Sequence, residues 1–227
     1  DPTMAYIFRD KRAELDSMIT MLADRGKDDF LHGSLQVFGN VSEKLYNSAL
    51  ALLMMTEPEE VAKKSDDIIS ANDFAKMARE EIRYLQKQNN EFNSPVRVRE
   101  DISGVMVNRG ALNISQEYKL TRSRAMALIQ HEIGTHVVTY FNGRQQPLNL
   151  FSLGVPGYEE LQEGLAVLSE YIVNGLNNDR LRIIAARVIA VHHMLLGNTF
   201  TDTFDMLVDQ YLFLPETAWC APCRYAR

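Results

Sequence analysis

The segment His131-Glu132-Ile133-Gly134-Thr135-His136 restricts the folding of this 227-residue chain more than any other stretch. It lies in a strongly helical run that opens at Thr121 or Ser123, extends to about Tyr140 and closes on Asn142-Gly143. Two imidazoles around a carboxylate on one helix suit a zinc hydrolase. Neutral ligands leave the ion's charge intact to acidify a water, and a neighbouring non-ligand Glu takes the proton. In the familiar HExxH pattern the histidines are four residues apart; here they are five apart. At about 100° per residue, five steps turn the rings about 140° from each other, so both face one ion only if the helix is locally widened. A π-bulge does this, and Gly134, a poor helix residue between the two, eases the distortion. The alternative is a regular helix whose two histidines point in different directions as satisfied core or surface residues.

A third ligand is expected from a following helix, usually a carboxylate. The candidates are Glu159, Glu160, Glu163 and Glu170. Glu159 and Glu160 fall in a first turn, where acidic residues suit the helix dipole without further function. Glu163 stands in Leu161-Gln162-Glu163-Gly164-Leu165-Ala166, whose apolar and small neighbours are expected to bury it. A buried carboxylate needs a partner such as a metal, and Gly164 would allow close backbone approach. Glu163 therefore ranks first.

The rest of the chain reads as helix around a small sheet. Apolar residues recur at helical spacing from Tyr6 to about Ala23, from Val41 to Met55 behind a cap at Asn40, and from Phe74 to about Asn89 behind Asp73. Pro95 to Arg99, Gly104 to Val107 and Ala111 to Ile114 alternate or run apolar like short strands, with a turn at Asn108-Arg109-Gly110. Further helices are expected over about Tyr158 to Gly175, Asp179 to Leu196 and Thr201 to Leu212. No repeat or long polar linker divides the sequence. One α+β domain, predominantly α, is expected over residues 1–227, with 1–92 helical and 93–227 carrying the sheet and the metal-binding helices.

Composition narrows the partners. With 46% hydrophobic and 24% charged residues, and only 12 Gly and 7 Pro, the chain belongs with ordinary globular proteins. A net charge of −6 offers no electrostatic footprint for nucleic acid. No apolar run approaches the roughly 20 residues needed to span a bilayer, so no membrane is expected. The two cysteines, Cys220 and Cys223, cannot staple the fold, and a cytoplasmic location is the default. One CxxC in a terminal tail is weak as a redox or metal motif. The start at Asp1-Pro2-Thr3-Met4, without an initiator Met or signal peptide, reads as trimmed.

Three ordered motifs together carry a resemblance: His131-Glu132-Ile133-Gly134-Thr135-His136, Asn142-Gly143-Arg144-Gln145-Gln146-Pro147, and Gln162-Glu163-Gly164-Leu165-Ala166. They resemble the bacterial flavohemoglobin expression-modulating QEGLA-motif proteins, which are similar to the eukaryotic microtubule-associated tyrosine carboxypeptidases that remove the C-terminal tyrosine of α-tubulin. The resemblance covers most of the chain, most densely from about Gly104 to Leu207. It implies a zincin-like metallopeptidase domain with a small sheet and an active-site helix, in which His131, His136 and Glu163 bind Zn²⁺ and Glu132 is the catalytic base. It does not carry the substrate, because Gln162 and the Tyr140-Phe141-Asn142-Gly143-Arg144 stretch follow the bacterial wording. Members also continue past an Arg-x-x-Arg-Gly segment that Arg224-Tyr225-Ala226-Arg227 begins, so the end too reads as trimmed.

The expectation is zinc-dependent hydrolysis of a peptide bond at a protein or peptide C-terminus, with the oligomeric state open. A carboxypeptidase needs a cation for the terminal carboxylate, usually Arg. Arg144 is the first candidate, beside Arg109, Arg122, Arg124 and Arg187, and for each a solvated or surface-paired arginine is the more ordinary reading. The oxyanion donor could be one of His192 and His193, with Tyr140, Tyr158 and Tyr171 as alternatives that the sequence does not rank. His32 invites no role. The hairpin over 104–114 could take substrate as an added strand or serve packing alone. The competing class is a metal-stabilised or metal-free regulatory module that binds protein without catalysis.

Overall fold

The computed structural model describes residues 1–27, 29–58 and 67–223, the last four by backbone alone, so the side chains of Cys220 and Cys223 lie outside the described residues. The chain is 66% helical with two small sheets, which makes it α+β and predominantly α. It forms two compact units, one of Asp1–Ala13 with Ser65–Leu176 and one of Glu14–Lys64 with Asn177–Arg227.

The early helices are α1 (Pro2–Ala23), α2 (Asp29–Phe38), α3 (Glu43–Met55) and α4 (Ala71–Gln88). Ser42, rather than Asn40, caps α3, and Ser70, rather than Asp73, caps α4. Each serine Oγ accepts the backbone N–H three residues on, from Leu45 and from Asp73. Asp73 sits in the first turn, where its carboxylate accepts from the Ser70 hydroxyl at 2.7 Å. The short strand β1 (Ile68–Ser70) interrupts the helical first part and pairs antiparallel with β5 (Lys119–Thr121). Three-residue strands are too short to show an alternation in sequence.

The expected small sheet is present, with strand order β2-β4-β3 over β2 (Val96–Arg99), β3 (Val105–Asn108) and β4 (Ala111–Ser115). β3 and β4 form the hairpin, turning at Arg109 and Gly110, both at positive φ (48° and 73°), as a two-residue hairpin loop requires. β2 joins β4 in parallel. Leu112 and Ile114 of β4 enter the core with Phe74, Ala75, Ala78 and Ile82 of α4 and with Ile129, Ile133 and Val137.

Those last three residues lie on one continuous helical run. Thr121 caps α5 (Arg122–Ile129), which passes into a π-helical segment (Gln130–Val137) and then α6 (Val138–Arg144). Asn142-Gly143 therefore lies inside the helix and does not close it. Gly143 is needed for a neighbour: a Cβ there would stand 2.2 Å from the Phe151 carbonyl oxygen. That carbonyl belongs to the short α7 (Leu150–Leu153), and α8 (Tyr158–Ile172) follows.

In the second unit, α3 packs with α9 (Asn178–Leu195), α10 (Phe200–Asp209) and α11 (Pro215–Cys223) around Leu53, Ala186, Ile189 and Leu207. Buried Arg182 ties this unit together by donating to the carbonyls of Leu53, Thr56 and Tyr211. Among the described residues, no helix is long and apolar enough to cross a membrane.

Candidate metal centre

The π-helical segment answers the spacing problem set by the two histidines. At its end the Val138 N–H donates to the Ile133 carbonyl five residues back, the pattern of a widened turn. Ile129, Ile133 and Val137 anchor one side of the run in the core. The widening brings the His131 and His136 rings together, with centroids 5.0 Å apart. At Gly134 a Cβ would meet the Gln130 side-chain oxygen at 2.5 Å, so the glycine leaves room for Gln130 to fold across the turn and donate to Glu81.

α8 packs directly on this segment and supplies the remaining groups. The Glu163 oxygens stand 3.8 Å from His131 Nε2 and 3.6 Å from His136 Nε2. One ligand atom from each of these three residues lies within 4.8 Å of the others. Ligands bound tetrahedrally at about 2.0–2.1 Å are about 3.4 Å apart, so the set matches a zinc-sized ion within a few tenths of an ångström on the two measured edges.

The expected burial of Glu163 is not observed. Its side chain is 66% exposed. Leu161 and Leu165, which were expected to cover it, are themselves 65% and 44% exposed, because the face of α8 turned to the π segment is that of Gln162, Ala166, Ser169 and Glu170. Nor does Gly164 admit a close backbone, since a Cβ there would meet nothing within 4 Å. Composition around a residue does not reveal how its helix is rotated, and here the Glu163 carboxylate is left largely in the open.

Among the described residues, the carboxylate that is wholly buried is Glu170. It receives Arg124 at 2.5 Å on one oxygen and faces His131 Nδ1 at 2.7 Å with the other. On the other ring, His136 Nδ1 lies 3.0 Å from the Gln162 side-chain amide. Desolvation holds the His136 pKa below its ordinary value, opposed by the nearby Glu163 charge and reinforced by His131. The sequence reading missed these contacts of Gln162, Arg124 and Glu170. Glu170 did carry a signal, for it lies seven residues after Glu163, two turns along the same face of α8.

The other candidates are dispersed. Glu132 is buried beside His131 on the π segment. Arg124 is engaged by Glu170, Arg122 faces Asp67 at 3.9 Å, Arg109 holds the hairpin turn and Arg144 is exposed at the end of α6. Tyr140 covers Gly110, where a Cβ would stand 2.4 Å from its ring. Tyr171 is exposed at the far end of α8. Tyr158, at the start of α8, has its pKa raised by burial first and then by the charges of Glu159 and Glu163. Glu159 and Glu160 sit in the first turn of α8, as expected. His192 and His193 belong to the second unit, where His192 stacks on Tyr46 at 4.2 Å and His193 Nδ1 meets Thr203 Oγ1 at 2.9 Å.

A family model described as microtubule-associated tyrosine carboxypeptidase matches residues 1–227, and the chain belongs to that family. No curated protein and no solved structure matches it.

Proposed function

With that family membership as the premise, we propose that this protein is a zinc-dependent peptidase of carboxypeptidase type, acting on a protein or peptide C-terminus. Membership suggests carboxypeptidase-like hydrolysis of a peptide substrate. The observation that carries the zinc reading is the convergence of two imidazole Nε2 atoms on one carboxylate across a widened helical turn. Such a two-His, one-carboxylate set leaves a coordination position open, as catalytic zinc sites do. The whole chain is read as one zincin-like catalytic domain.

Bound zinc supplies Lewis acidity, which makes water nucleophilic near neutral pH and polarises the scissile carbonyl. The chain's residues do the rest. His131, His136 and Glu163 hold the ion. A carboxylate oxygen of Glu132 accepts a proton from the attacking water and returns it to the departing amine. Arg144 is the proposed receiver of the substrate's terminal carboxylate through its planar fork. Tyr140 is a further proposed substrate contact. Among the tyrosines, Tyr158 is a further proposed oxyanion donor, because it is half-buried at the start of the helix that carries Glu163.

The test is cleavage of a peptide library with varied C-termini by the zinc-loaded protein, with Glu132→Gln as control. The variant is expected to bind zinc like the wild type and to lose about 10²- to 10⁴-fold in turnover. Unchanged cleavage by Glu132→Gln would remove Glu132 from the mechanism. No cleavage by the wild type at any C-terminus would leave a metal-binding module.

A further inference from the structure

The two metal-facing imidazoles are supported differently. A histidine that ligates through Nε2 must carry its proton on Nδ1, and whatever accepts from Nδ1–H decides the tautomer before any metal arrives. At His136 that partner is the Gln162 amide, which can present either end: its NH₂ donating to Nδ1 leaves the ring proton on Nε2, and its carbonyl accepting from Nδ1–H frees Nε2. At His131 the partner is a carboxylate, which only accepts. Glu170 lies fully buried, with its second oxygen 2.5 Å from the Arg124 guanidinium. Its first oxygen, 2.7 Å from Nδ1, therefore accepts the imidazole proton.

We propose that Glu170, locked by Arg124, is a positioning residue that pre-sets His131 in its Nδ1–H tautomer and aims Nε2 at the metal, whereas Gln162 lets His136 adopt that state as the metal binds. This rests on the zinc-binding reading of His131, His136 and Glu163. The connection is contained within three packed elements. Arg124 comes from α5, His131 from the π segment one and a half to two turns later, and Glu170 from α8, which packs on both.

The arrangement makes a specific demand on Glu170→Gln. The amide is nearly the same shape, but Arg124 only donates, so it draws the amide oxygen to itself and leaves the NH₂ facing His131 Nδ1. That favours the Nε2–H tautomer, which has no lone pair for a metal. Zinc affinity is expected to fall by about 10- to 100-fold. Removing the lock should reverse the effect. In Arg124→Leu/Glu170→Gln the amide is free to turn its carbonyl to Nδ1, and most of the lost affinity should return.

The experiment titrates Zn²⁺ against a chromophoric chelator for the wild-type chain, Glu170→Gln and the double variant, with circular dichroism of each zinc-free protein to confirm folding. Wild-type affinity in Glu170→Gln overturns the proposal, as does a double variant that binds no better than the single one. Nitrogen-15 imidazole spectra of the zinc-free wild type provide a measurement that needs no variant. They should place the His131 proton on Nδ1, and a proton on Nε2 overturns the proposal even if the variants fail to fold. Failure of the underlying zinc reading looks different: the wild type then binds no zinc, while the imidazole spectra still report on Glu170.

Discussion

Thr135 and Ser169 bring their hydroxyl oxygens to 2.6 Å of one another, and both reach the carbonyl of Gln130, at 3.2 and 3.3 Å. Gln130 lies five residues before Thr135, so the two side chains tie the widened turn to α8 at the point where the widening starts. A π-helical turn is less favourable than an α-helical one and persists where its surroundings hold it.

Ser169→Ala removes one side of this tie. The zinc-free protein should lose about 1 kcal/mol, read by urea denaturation. Zinc affinity should fall severalfold in a chelator competition, because His131 and His136 depend on the widened turn to face one ion. Lost stability with unchanged zinc affinity would reduce the pair to ordinary packing.

Glu163 separates metal binding from folding. Because its side chain is 66% exposed and stands near His131 and His136 at 3.8 and 3.6 Å, Glu163→Ala should change zinc-free stability by no more than about 0.5 kcal/mol. The rise in melting temperature on adding zinc should largely disappear. A variant that unfolds without zinc would show that the carboxylate has a structural task in the fold.

Gly143 tests the path of the chain out of α6. Alanine favours a helix interior by about 1 kcal/mol over glycine, yet its Cβ would meet the Phe151 carbonyl oxygen at 2.2 Å. Overpacking against backbone should win, with Gly143→Ala less stable by about 1–3 kcal/mol in thermal denaturation. A more stable variant would mean that the turn between α6 and α7 yields easily.

Tyr158 reports on Glu163 by its titration. Burial first, and then the Glu159 and Glu163 charges, raise its folded pKa above the ordinary 10.0. The sign follows from linkage: the protonated phenol is favoured by folding, so this stabilisation is present below pH 10.0 and is lost as pH rises through the higher folded value. In the zinc-free protein Tyr158 should ionise late, as should Tyr6 and Tyr211, and the component of the ultraviolet titration that Tyr158→Phe removes should move part of the way down in Glu163→Gln. No movement would remove the Glu163 charge as a cause.

Much of the site was legible in the residues. A histidine pair five apart with a glycine between them already required a widened helix if both were to serve one ion, and the π segment over Gln130–Val137 has that form. Glu163 was found as the third group for a reason the structure reverses. Its apolar neighbours pointed to burial, whereas Leu161 and Leu165 turn outward with it. The partners of the two imidazoles were not legible, since Gln162 reaches a ring 26 residues away in sequence, and Glu170 one 39 away and a guanidinium 46 away.

By itself, therefore, the sequence determined the chemistry on offer: which side chains can bind a metal, on which helices they ride, and that one helix must be widened to use both histidines. These are local consequences of residue type and angular spacing. Tertiary structure decided which stretch of α8 is covered: Glu163 and Glu170 share a face two turns apart, yet packing on the π segment and α5 buries Glu170 and leaves Glu163 66% exposed. Helical periodicity fixes the angles between residues on one helix but not the direction any of them faces. That direction is set by packing against the π segment, where Ala166, Ser169 and Glu170 fit and the leucines do not.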